Sequence, residues 1–158
     1  MLQELIALAG TGPVYRSPSD QVRFLLTGEQ TGGALFVAEV SVPPGCGNPP
    51  HIHSREEETF YVQQGTLTVH VGGKTVSASA GDAICLPRGV AHCFENAGDV
   101  DVKALLMVVP AGLERFFEEA FYPAEEYPAV PPSLDAFIGR VVAAAPKVGL
   151  QFLPPPGA

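Results

Sequence analysis

Apolar positions along this chain fall into two regimes. From about Val22 to Pro110 they come in short β-branched and aromatic runs, "VRFLLT", "ALFVAEVSV", "TFYVQQ", "TLTVHV", "KTVSAS", "AICLP", "HCFEN" and "VKALLMVV", separated almost everywhere by Gly, Pro, Asn or Asp. Runs of this length between turn residues are strands, and seven or eight of them at close spacing predict an all-β sandwich or barrel. Beyond Pro110 the period changes. Leu113, Phe116, Phe117, Ala120 and Phe121 recur at helical spacing, with Glu114, Glu118 and Glu119 on the other face, which predicts an amphipathic helix whose apolar stripe must be buried. "YPAEEYPAVPP", residues 122–132, is a proline-broken linker. Ser133 then stands where an N-cap belongs, before a second helix over "LDAFIGRVVAAAP" that ends at Pro146. The closing "GLQFLPPPGA" reads as a short added strand or a loose tail. The expected division is a β-domain over 1–110, with an N-terminal extension, and a helical extension over 111–158 packed on it.

Composition narrows the class. A chain of 158 residues with 46% hydrophobic and 16% charged positions has room for one globular core. It contains no run of about 18 apolar residues, so no membrane span is expected. The N-terminal "MLQELIALAG" lacks the positively charged start and cleavage site of a signal peptide and is read as part of the folded domain, which makes the expected location cytoplasmic. A net charge of −8, with nine basic residues scattered singly, offers no footprint for nucleic acid. Cys46, Cys85 and Cys93 are odd in number and at no zinc-ribbon spacing, which favours free thiols that serve as small packing residues.

The chemistry gathers in "PPHIHSREEETFYVQQG". His51 and His53, two apart on a strand, point to one side. An isolated H-x-H is weak, but the frame around it is not. Gly45 is followed after five residues by His51, after one by His53, after four by Glu58 and after six by Gly65; later come Gly81, five residues, Pro87, one, Gly89, two, His92, three and Asn96. By alternation either Glu56 or Glu58 could face inward; it is the spacing from His53 and to Gly65, read as a family motif, that selects Glu58 and leaves Glu56 and Glu57 as rim or solvent residues. The same alternation turns Phe60 and Val62 inward and Tyr61 outward, and puts His70 at the surface. Asn96 is expected to brace its turn.

These two frames resemble the paired motifs of the cupin superfamily at every position. The resemblance implies a double-stranded β-helix (jelly-roll) barrel with C-terminal helices, enclosing one divalent transition metal held by His51, His53, Glu58 and His92. Imidazoles with one carboxylate suit Mn, Fe, Co, Ni, Cu or Zn better than Ca or Mg. In "TGEQTGGALFVAEVSVPPG", "ETFYVQQG", "LPRGVAHCFEN" and "VVPAGLERFFEEA" the chain is also similar to the small bacterial single-domain cupins akin to flavonol 2,4-dioxygenases (quercetinases). That likeness implies a small-molecule substrate of flavonol-like or other enolic aromatic type, dioxygen as co-substrate, and Glu58 as the catalytic proton acceptor. Phe60, Val62, Phe36 and Phe24 are the expected walls of the substrate pocket. Two other readings remain open: a sugar-phosphate isomerase, for which Arg55, Arg88 and Lys103 are the nearby cations, and a non-enzymatic binding or sensor cupin. Edge strands and apolar segments beyond what one small barrel can cover make a homodimer the expected assembly.

Overall fold

The computed structural model describes residues 6–154. Of the N-terminal segment read as part of the domain, residues 1–5 lie outside the described residues, as do 155–158 of the tail. The strands are β1 (Val14–Arg16), β2 (Gln21–Leu26), β3 (Phe36–Val42), β4 (His51–His53), β5 (Glu57–Gln64), β6 (Thr66–Val71), β7 (Lys74–Ser79), β8 (Ala83–Leu86), β9 (His92–Glu95), β10 (Val102–Val109), β11 (Tyr122–Pro123) and β12 (Leu150–Phe152). The helices are α1 (Gly28–Thr31), α2 (Glu114–Ala120) and α3 (Leu134–Ala144). Two antiparallel sheets face one another: a seven-stranded sheet in the order β11-β1-β2-β3-β10-β5-β8 and a five-stranded sheet in the order β12-β4-β9-β6-β7.

Period two builds the interior. Val102, Ala104, Leu106 and Val108 of β10, Phe60 and Val62 of β5, and Leu67 and Val69 of β6 are all buried, whereas Tyr61 and Val109 between or beside them are exposed. The turns follow from residues with unusual backbone freedom. Gly89 takes φ 76° and donates its N–H to His53 O at 2.9 Å, tying the loop before β9 to the end of β4.

The segment after Pro110 belongs to the same core. Leu113, Phe116, Phe117, Ala120 and Phe121 are buried against the barrel residues. Ser133 caps α3 as expected, its Oγ accepting from Ala136 N at 3.2 Å. The expected stop at Pro146 falls two residues late for the α-helix, because Pro146 is accommodated in a 3-10 turn over Ala145–Val148 that ends at Gly149 in the left-handed region. Arg140 of α3 donates to Ala120 O and Phe121 O, both at 2.8 Å, and so satisfies carbonyls that α2 leaves open. The tail forms β12, which pairs with β4: Leu150 opposite His53 and Phe152 opposite His51. Sequence patterning did not mark the three-residue β1 or the single-turn α1, which are too short to carry a period. No helix among the described residues is long and apolar enough to cross a membrane.

Candidate metal centre and its cavity

β4 is three residues long, and its burial alternates: His51 and His53 face inward while Ile52 is half-buried. β9 begins at His92, which lies directly opposite His51. The five-stranded sheet therefore supplies three imidazoles. Glu58 comes from the other sheet, on β5, where it stands between Leu86 of β8 and Val108 of β10. The ligand atoms of His51, His53, Glu58 and His92 all lie within 4.8 Å of one another, and the four residues are 3–5% exposed.

Each ring is oriented from behind. His51 Nδ1 donates to Pro49 O at 2.8 Å and His92 Nδ1 donates to Val90 O at 3.0 Å, which turns both Nε2 atoms inward. His53 Nδ1 faces Glu56 Oε2 at 3.5 Å, while its Nε2 lies 3.2 Å from Glu58 Oε2. Glu56 is thus not at the rim or in solvent as the spacing suggested. It is 2% exposed, because the turn after β4 folds it inward behind His53. Asn96 braces its loop as expected, donating to Val42 O and Val100 O and accepting from Gly98 N.

The electrostatics are those of a site arranged around positive charge. Burial holds His51 at about 4, so it is neutral at pH 7. Burial alone would also lower His53, but the carboxylates of Glu58 and Glu56 outweigh it and raise this imidazole to about 9. Glu58 stays well below the usual carboxylate range: burial would raise it, and His53 beside it, with the hydrogen bonds from His53 and His92, overcomes that. A convergent, buried set of three nitrogen donors and one oxygen donor fits a divalent transition metal. Nδ1 of His53 and Oε2 of Glu56, buried without a hydrogen-bond partner of good geometry, are the pair that a metal on Nε2 would draw together.

The site opens onto a cavity of about 380 Å³. His51, His53 and Glu58 form part of its wall; Val22, Val40, Phe60, Phe94 and Leu106 come from the strands, Phe116, Phe117, Phe137 and Val141 from the helices, and Phe121 from the residue that follows α2. Of the four residues expected as walls of a substrate pocket, Phe60 lines this cavity. Val62 is fully buried in the barrel and does not reach the cavity, and Phe24 and Phe36 turn instead into an aromatic cluster with Tyr15 and Phe117. The helical stripe read as core packing does both, since Phe116 and Phe117 belong to the core cluster and also line the cavity. Cys46 packs against the core, Cys85 is exposed, and all three thiols are free.

Comparison with known proteins points the same way. The profile of the cupin domain family matches residues 38–109. The chain is 28% identical over 106 residues to tetracenomycin polyketide synthase protein TcmJ of Streptomyces glaucescens, covering 66% of this chain and 70% of that one. It is 34% identical over 107 residues to quercetin 2,3-dioxygenase of Aspergillus japonicus, covering 63% of this chain but only 29% of that enzyme. The crystal structure of a predicted oxalate decarboxylase of Thermotoga maritima superposes with a TM-score of 0.61 at 26% identity, over 66% of this chain and 97% of that one.

Proposed function

The chain belongs to the cupin superfamily, and we propose that within it this protein is a metal-dependent dioxygenase acting on a flavonol-like or other enolic aromatic small molecule. The observation that carries the reading is an apolar cavity of about 380 Å³ whose wall includes His51, His53 and Glu58 of the three-imidazole, one-carboxylate cluster. A divalent transition metal held by His51, His53, Glu58 and His92 would supply Lewis-acid binding of the substrate's hydroxy-carbonyl group and of dioxygen. Glu58 Oε2 is the oxygen turned toward the imidazoles, 3.0 Å from His92 Nε2 and 3.2 Å from His53 Nε2, so Oε1 is the atom free to take the enolic proton. Phe60, Phe94 and Phe116 hold the ring and keep water out while dioxygen adds across it and the ring opens. The quercetin-oxidising relative supports this substrate class. No Lys or Arg lines the cavity, which weighs against a sugar phosphate or a small dianion. Arg55 is turned to Lys147 O, and Lys103 lines a separate groove with Arg23 and Glu39. With this reading go a homodimer in solution and a cytoplasmic location.

The test is stepwise. Metal-loaded protein mixed anaerobically with a panel of flavonols and catechols should shift the ligand spectrum, and admitting oxygen should bleach it with matching oxygen uptake. Binding without oxygen uptake for any member of the panel would remove the dioxygenase reading in favour of a binding or sensor cupin.

A further inference from the structure

The polar residues around the cavity fall into two groups. One is the metal-ligand cluster with its neighbour Asn48; the other is the turn joining β1 to β2, which contributes Ser17, Ser19 and Asp20. Asp20 begins the inward series that continues with Val22 and Phe24 on β2, so alternation directs it to the interior, and it lines the cavity together with Val22. A carboxylate on an otherwise apolar wall is costly unless something is gained by it.

The turn does not need this carboxylate. Ser17 Oγ already accepts from Ser19 N and Asp20 N, each at 3.0 Å, and Ser17 N donates to Asp20 O at 2.9 Å. What the serine hydroxyl adds is a donated hydrogen bond to Asp20 Oδ1, which fixes the carboxylate's direction. No described residue donates to Oδ2. Burial lifts the Asp20 carboxyl to about 6, so at neutral pH this half-buried residue presents to the cavity an ionised acceptor bound by one hydroxyl.

We infer that Asp20, held by Ser17, is a second anchoring point of the cavity, which accepts a hydrogen bond from a ring hydroxyl of the substrate at a position other than its metal-binding end. The inference rests on the reading of the cavity as a site for hydroxylated aromatics, and it adds to the metal-binding end a requirement for a donor elsewhere on the molecule. A hydrogen bond from a phenol to an ionised carboxylate is among the stronger kinds, and an acceptor on the cavity wall that loses its water to a bound ligand discriminates against a ligand lacking the donor.

The experiment compares anaerobic binding of quercetin and of 3-hydroxyflavone, which share the hydroxy-ketone but differ in the other ring hydroxyls. Metal-loaded wild type should bind quercetin about tenfold more tightly, as expected for one charge-assisted hydrogen bond. Asp20→Leu should bring the ratio near one by weakening quercetin alone. Asp20→Asn, which keeps a neutral acceptor, and Ser17→Ala, which frees the carboxylate to swing, should give intermediate ratios, and they carry the test if the leucine variant does not fold. Metal content equal to wild type identifies the folded variants. An undiminished quercetin preference in folded, metal-loaded variants would overturn the assignment, and so would the absence of binding of either probe to wild type. A preference that vanishes with Asp20 while wild type takes up no oxygen would sustain the anchor and remove only the dioxygenase reading.

Discussion

In the metal-free centre a proton on His53 stands in for the charge of a cation, and metal entry must displace it. His53, at about 9, is protonated at pH 7, whereas His51, at about 4, is already neutral. Metal uptake at pH 7 should therefore release about one proton per ion, and apparent affinity should rise by about tenfold per pH unit up to about pH 9. Calorimetry in buffers of different ionisation enthalpy reads the proton directly; uptake without release at pH 7 would contradict the arrangement. Asp20 gives a prediction of opposite character. Its folded value of about 6 lies above that of an unfolded aspartate, so ionisation costs stability progressively as pH rises through that window. Asp20→Asn should then leave stability unchanged near pH 4 and raise it by about 1–3 kcal/mol at pH 7. Thermal melts at the two pH values measure the difference. The four ligands were legible in the sequence because motif spacing names them. Asp20 and Glu56 were not, because whether a lone carboxylate faces water or the interior depends on which turn carries it, and no spacing reports that.

Among the elements, β10 is the strand on which the large sheet depends. It lies between β3 and β5, and its inward residue Leu106 is 2% exposed and also lines the cavity. Leu106→Ala should destabilise the fold by about 2–5 kcal/mol, toward the lower end if the neighbouring cavity lets the site relax. Denaturant titration gives the value, and a change below about 1 kcal/mol would mean that the position is not closely packed. The β-strands were visible in advance because period two and the turn residues agree. The role of α2 was visible only in part: Phe116 and Phe117 announce a buried stripe, but whether they meet core or cavity depends on where the helix seats on the barrel. The strand β12 was legible only as one of two alternatives, since "GLQF" acquires its meaning from pairing with β4, about a hundred residues away.

At the scale of the molecule, the two sheets contribute unequal halves of one centre, three imidazoles from the smaller and one carboxylate from the larger, so the site exists only when the sheets are packed. The helical face outside them is less complete. Leu134, Ile138 and Val142 of α3 are exposed at 64%, 46% and 62%, which exceeds what a solvated helix ordinarily leaves in water. Light scattering at micromolar concentration should give twice the chain mass of 16.6 kDa, and a single-chain mass would refute the homodimer. The pairing of β12 with β4 also makes the histidine strand depend on a distant segment of the chain. β4 meets β9 at only the His51–His92 rung, and its other edge is covered by residues 150–152, where Leu153 N also donates to Pro50 O at 2.9 Å. Unless residues 150–152 pair with it, the strand carrying His51 and His53 has an uncovered edge, so retention of a metal should depend on that pairing. A chain ended at Gly149 should keep most of its sheets yet emerge with less metal than the longer chain on elemental analysis. Equal occupancy would show that β4 holds its ligands unaided.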